Sequence, residues 1–209
     1  MDSAFFITGF VTLFVIMDPI GLAPIFIALT HGMPRAKRRA IGLRACVIAG
    51  TLLSLFALGG EAVLGFVGIS MPAFRIAGGI LLFLTALDML FQRRTKRRED
   101  QAEQAEEDDH TDDPSVFPLA MPLISGPGAI ATVILLSGQI PGWAGLVSTL
   151  TIMSLVLIIT LILFYSAELL ETALGKTGIT VVTRLLGMLL AALSVQFVLD
   201  GLKDFGFVG

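Results

Sequence analysis

Apolar runs at about 3–30, 40–60, 73–91, 116–138, 146–167 and 181–199 divide this chain into six pieces. Each is long enough to cross a hydrocarbon core about 30 Å thick, for which roughly 20 helical residues suffice. The runs take up nearly all of the 209 residues, 55% of which are hydrophobic and only 15% charged, so almost nothing is left for a soluble domain. The expected fold class is all-α: a polytopic membrane protein with six transmembrane helices.

The opening MDSAFFITGF has no basic start and no A-x-A cleavage site after it, so it is expected to be a retained first span rather than a secretory signal. The single cysteine, Cys46, falls inside the second run, where it can form no intrachain disulfide and is expected to pack.

Charge sets the expected orientation. Ten of the 14 Lys and Arg residues sit in two places: Arg35, Lys37, Arg38, Arg39 and Arg44 after the first run, and Arg93, Arg94, Lys96, Arg97 and Arg98 after the third. The positive-inside bias puts both segments in the cytoplasm. Loops after spans 1, 3 and 5 are then cytoplasmic, and the N- and C-termini face outward. Residues 99–113 hold nine acidic side chains and no apolar residue beyond two alanines. Such a stretch reads as a solvated tether. The expected organisation is 1–92 as a first three-helix repeat, 93–113 as a charged cytoplasmic linker, and 114–209 as a second repeat, together one membrane domain. A metal-binding or regulatory role for the acidic tract with His110 is the weaker alternative.

The two halves align. GGEAVLGFVGIS (59–70) falls on ELLETALGKTGIT (168–180), matching Glu61 to Glu171, Gly65 to Gly175 and Gly68 to Gly178; just beyond, Arg75 matches Arg184. In the same frame Asp18-Pro19-Ile20-Gly21 falls on Gly126-Pro127-Gly128-Ala129. Three spans per repeat is an odd number, so the second copy is expected to be inverted, with the first helix of each repeat broken. Inverted repeats with matched broken helices point to a solute site near the membrane midplane and to alternating access.

The first break, DPIGLAP, lies at membrane depth: residues 4–17 alone would make a helix of about 21 Å, too short to span. Irregular backbone at that depth is tolerated only where it is buried in protein or lines a wet cavity. Both breaks read as helix starts, with Pro at the first helical position, so two positive helix ends are expected to face the protein centre. Asp18 adds a negative charge to one break, while Ser125 and Gly126 offer a hydroxyl and bare backbone at the other. A small zwitterion fits that asymmetry, its ammonium near Asp18 and its carboxylate on the amides of residues 126–129. An N-cap without further function is the plainer use of Asp18.

Other polar residues inside spans are weaker candidates. Thr85, Ser194 and Gln196 are expected to serve interhelical hydrogen bonds, and Asp88 to be an interfacial charge. The pairs Glu61 with Arg75 and Glu171 with Arg184 are expected to close their span pairs.

LFVIMDPIGLAPIFIALT, RIAGGILLFLTALDML, MPLISGPGAIATVI and SVQFVLDGL together resemble the MarC family of bacterial inner-membrane proteins, which includes SnatA-like small neutral amino acid transporters. The resemblance covers the whole chain apart from the acidic linker. It implies six spans in two inverted halves and, for the SnatA-like members, uptake of glycine, alanine or similar amino acids coupled to an ion gradient. The residues matching the family pattern are Asp18, Pro19, Gly21, Pro24, Gly126, Pro127, Gly128 and Gln196. Where many members carry Asn after Gly21, this chain carries Leu22, a departure that bears on its substrate.

The expected substrate-binding set is therefore Asp18, Pro19, Gly21, Pro24, Ser125, Gly126, Pro127, Gly128, Ala129 and Gln196, in a proton- or sodium-coupled transporter. No cofactor, resident metal or nucleic acid is expected. The partners are a small-molecule substrate and membrane lipid, with a homo-oligomer compatible with the sequence. An exporter of small metabolites is the alternative, followed by a channel or a non-transporting scaffold. An enzyme is disfavoured, since the chain has no H-E-x-x-H, nucleophile elbow or P-loop, and its two histidines, His31 and His110, lie outside the apolar runs.

Overall fold

Glycine and proline set most of the element ends. In the computed structural model, which describes residues 3–107 and 113–206, eight helices form: α1 (Ser3–Met17), α2 (Pro19–Leu29), α3 (Arg35–Val67), α4 (Met71–Leu90), α5 (Arg93–Glu107), α6 (Pro127–Gln139), α7 (Trp143–Tyr165) and α8 (Ala167–Asp204). The turn from α3 to α4 shows the local logic. Gly68 ends α3 at φ 82°, a left-handed conformation that glycine adopts without steric cost. Two residues later Ser70 caps α4 by accepting from the Ala73 amide, with Pro72 in the first turn.

Between α5 and α6, residues Ser115–Ile124 wind irregularly, with extended backbone at Phe117 and Met121. Each precedes a proline, whose ring drives the residue before it out of helical geometry. This segment meets α6 at a bend of 59°. Five helices or helix pairs are long and apolar enough to span, or six if the bent pair is one span. The contacts along α3 decide for six. Arg44 pairs with Asp113, the Ser125 hydroxyl donates to the Ala49 carbonyl at 3.4 Å, and a Cβ on Gly60 would lie 2.5 Å from Ile134. The bent pair thus advances along 16 residues of α3, about 24 Å at 1.5 Å per residue, and crosses rather than turning back.

The third and sixth spans run antiparallel in close contact. Positions for a Cβ on Gly201, Gly79 and Gly187 of this pair fall 2.7 Å from Ile76, 2.7 Å from Val198 and 2.9 Å from Met89 respectively. Small residues let the two backbones approach, which is how helices associate where lipid is as apolar as the side chains. Outward faces stay apolar, with Leu55, Val63, Ile158 and Leu185 among the exposed residues. Phe26 of α2 stacks on Phe164 of α7 at 4.5 Å between ring centres, both fully buried.

Three expectations change. The connection expected at 168–180 is helical, interrupted only at Gly175 (φ 62°), so the last span begins at once after that glycine. Arg75 pairs with Asp204 rather than Glu61, because antiparallel packing brings the end of α8 to the start of α4. Glu171 and Arg184 form no ion pair among the described residues. Lastly, residues 99–107 of the stretch expected to be a solvated tether continue the helix α5, whose Arg98, just before that stretch, is buried. His110 lies outside the described residues.

Candidate functional site

The break in the first span is one residue long. Asp18 adopts φ 51°, ψ 60°, a left-handed conformation that Asp tolerates better than most side chains. Its amide donates to the Phe14 carbonyl at 2.9 Å, its carbonyl accepts from Leu22 at 3.0 Å, and its Oδ1 accepts from the Gly21 amide at 3.1 Å. Only glycine fits at position 21, where a Cβ would stand 2.2 Å from Asp18 Oδ2. Pro19 opens α2 and Pro24 lies inside it, so α1 and α2 continue as one span of 27 residues. Leu22 is fully buried in the apolar core.

Asp18 is 1% exposed, and its charge is already matched. Arg98 Nη1 donates to Asp18 Oδ2 at 2.9 Å, and Arg98 Nη2 to the Met17 carbonyl at 3.1 Å. One turn earlier in α5, Arg94 donates to the Ile16 carbonyl. The two guanidinium groups thus take up carbonyls that the end of α1 leaves without helical partners. Arg97 holds Asp88 at 2.9 Å. Burial pulls the Arg94 guanidinium down to about 9, with the Arg98 charge acting in the same direction, so Arg94 still carries its charge at neutral pH.

The second break differs in kind. Gly126 is extended, Pro127 takes the first helical position, and no side chain caps α6. The Ser125 hydroxyl turns to Ala49 instead. A Cβ on Gly126 would lie 2.9 Å from the Pro122 carbonyl, and one on Gly128 would lie 3.3 Å from Ile16, two residues before Asp18. The breaks are therefore neighbours. Gly126, Pro127, Gly128 and Ala129 line a cavity of about 310 Å³ together with Thr85, Asp88, Gln101 and Arg94, Arg97 and Arg98 of α5. Along the cavity wall, the N-terminus of α6 contributes a positive helix end without a side-chain acceptor, facing cationic side chains.

Of the expected residues, Gly126, Pro127, Gly128 and Ala129 line this cavity and Asp18 reaches it through Arg98, while Pro19, Gly21, Pro24 and Ser125 are not part of its lining. Gln196 lies elsewhere: its amide donates to Asp200 at 2.7 Å and lines a separate cavity of about 360 Å³ with Thr8 and Gln139. Thr85 and Ser194 bond carbonyls of their own helices, Leu81 at 2.9 Å and Ala191 at 2.7 Å, not neighbouring ones. Sequence reasoning missed Arg94 and Arg98. Their spacing of four residues, which puts both on one face if the basic run is helical, was the available signal.

Residues 3–205 match the family model described as MarC family integral membrane protein. A UPF0056 membrane protein of Aquifex aeolicus is 38% identical over 95% of this chain and 92% of its own. One of Archaeoglobus fulgidus is 40% identical over 96% and 93%, and YvbG of Bacillus subtilis is 34% identical over 97% and 96%. No solved structure matches the chain. A match over nearly the whole length, with relatives in both bacteria and archaea, places this multi-pass protein in the MarC family of integral membrane proteins.

Proposed function

We propose that this protein is a secondary transporter of small neutral amino acids, or of similarly small polar solutes, working by alternating access and coupled to protons or sodium. The observation that carries the reading is the adjacency of the two breaks: Gly128 packs on Ile16 beside Asp18, and a cavity opens on the uncapped start of α6. In this reading the solute carboxylate is held by the amides of Gly128 and Ala129 and by Arg94 or Arg98, and the ammonium by Asp18. The Asp18–Arg98 pair then stands in for the solute when the site is empty, since a zwitterion offers each partner the charge that the other supplies. Arg98 leaves Asp18 as the solute enters. The antiparallel third and sixth spans support an inverted repeat, and the two basic segments support a cytoplasmic position for the loops after spans 1 and 3 in a plasma membrane.

Uptake of radiolabelled amino acids into proteoliposomes, with and without a proton or sodium gradient, tests this. Saturable flux of at least one small neutral amino acid is expected. Asp18→Asn keeps the cap and removes the charge, and should lower kcat/KM on the order of tenfold or more, since hydrogen bonds to charged groups are worth about 1.5–3 kcal/mol. No saturable flux for any amino acid would remove the reading, and unchanged flux in Asp18→Asn would remove the role of Asp18.

A further inference from the structure

A second basic cavity lies away from the breaks, where α3 begins and α7 gives way to α8. It encloses about 350 Å³ and is lined by Arg35, Arg38, Arg39, Tyr165 and Glu168, with Phe26 and Phe164 behind them. Three guanidinium groups face one carboxylate. Arg38 is committed: it pairs with Glu168, and its Nε donates to Thr30 Oγ1 at 3.1 Å. Arg39 lies over the Tyr165 ring at 5.8 Å, and the Tyr165 hydroxyl donates to the Arg39 carbonyl at 3.3 Å. Neither Arg35 nor Arg39 forms an ion pair among the described residues.

One helical turn further along the same two helices, an apolar groove begins. Leu43 follows Arg39 by four residues on α3, and Leu161 precedes Tyr165 by four on α7. The groove, about 540 Å³, runs past Leu43, Val47, Thr51 and Leu55 on one side and Ile158 and Leu161 on the other, with no charged residue in its lining. Leu43 to Leu55 is 12 residues, about 18 Å at 1.5 Å per residue. One leaflet of a core about 30 Å thick is about 15 Å deep. Leu43, Val47, Leu55 and Ile158 are each about half exposed or more, so the groove opens sideways toward lipid.

From this juxtaposition we infer a binding site for an anionic glycerophospholipid, its phosphate at Arg35 and Arg39 and one acyl chain in the groove between α3 and α7. The charge selects the head, since basic pockets between spans hold anionic headgroups. The groove distinguishes a lipid from a soluble phosphate, which would have no use for a leaflet-deep apolar channel ending at the arginines. The site does not depend on the transport reading.

The test uses full-length protein in neutral detergent, with phosphatidylglycerol, phosphatidylcholine and glycerol 3-phosphate titrated separately and read by native mass spectrometry and thermal unfolding. Phosphatidylglycerol is expected to bind and raise the melting temperature, with phosphatidylcholine about tenfold weaker or more. The double variant Arg35→Gln/Arg39→Gln should lose about thirtyfold in phosphatidylglycerol affinity, taking each surface cation at about 1 kcal/mol. Thr51→Trp, which fills the groove from an exposed position and leaves the arginines intact, should weaken phosphatidylglycerol comparably. It serves as the deciding variant should the double substitution impair folding. Equal binding of the two lipids, or unchanged affinity in Thr51→Trp, would overturn the site. Glycerol 3-phosphate binding as tightly as phosphatidylglycerol would overturn the lipid and leave a soluble anion site in its place.

Discussion

Replacing Arg98 with alanine is expected to destabilise the protein by about 3–5 kcal/mol, the usual cost of leaving one charge of a buried pair alone. The size follows from position. Asp18 is 1% exposed and Arg98 5% exposed, so the carboxylate left behind loses its partner at a site largely removed from bulk solvent. The Met17 carbonyl also loses its donor. The double variant Asp18→Asn/Arg98→Leu removes both charges and keeps the Gly21 cap, and it should recover much of the loss. Thermal unfolding in detergent of Asp18→Asn, Arg98→Leu and the double variant closes the cycle. A coupling near zero would mean that the pair does not hold α5 to the first span. The same variants bear on transport, since an Arg98 that serves only as a structural strut would leave the solute KM unchanged in any variant that still folds.

Gly79→Val carries the other large expected effect, a loss of about 3 kcal/mol, at the upper end for overpacked cores. A Cβ there would lie 2.9 Å from the Ser194 carbonyl oxygen and 3.1 Å from the Val198 amide. These are backbone atoms of α8 and cannot rotate away, so the third and sixth spans must part. Gly59→Ala is the contrasting case. Its Cβ would meet nothing within 4 Å, and alanine in a helix interior should stabilise by about 0.5–1 kcal/mol. The two variants should therefore shift the melting temperature in opposite directions. A Gly79→Val protein that melts like the parent would contradict the close approach of α4 and α8.

Much of this architecture was legible because its determinants are local. Gly68 and Ser70 mark the end of one helix and the start of the next within three residues, and Pro19 and Pro127 each announce a helix start inside an apolar run. The irregular stretch from Ser115 to Ile124 was legible in principle, since Pro118 and Pro122 dictate extended backbone at the residues before them, but high hydropathy made 116–125 read as plain helix and left the only expected break of that span at Gly126-Pro127. What could not be read was pairing at long range. Asp18 and Arg98 are 80 residues apart, and a run of like charge beside an acidic tract looks solvated until a buried carboxylate and two free carbonyls are found beneath it. Arg75 posed the same problem, because its choice of Asp204 over Glu61 depends on how two helices cross and not on the spacing of either.

The long helix α3 also measures depth. Its last basic residue is Arg44 and its next charge is Glu61, so the uncharged stretch between them covers about 25 Å, close to a hydrocarbon core about 30 Å thick. The Ser125 hydroxyl touches Ala49, five residues beyond Arg44. The second break therefore sits about 7 Å inside the boundary on the basic side, well short of the midplane. Roughly three quarters of a transmembrane voltage then falls between the breaks and the far face, so a cation travelling from that face to the breaks moves through about 1.7 kcal/mol per 100 mV. With the basic side cytoplasmic, as proposed above, a cation reaching Asp18 from the far face would do so with the field's assistance, and the remaining quarter of the field is all that would act on its release to the basic side.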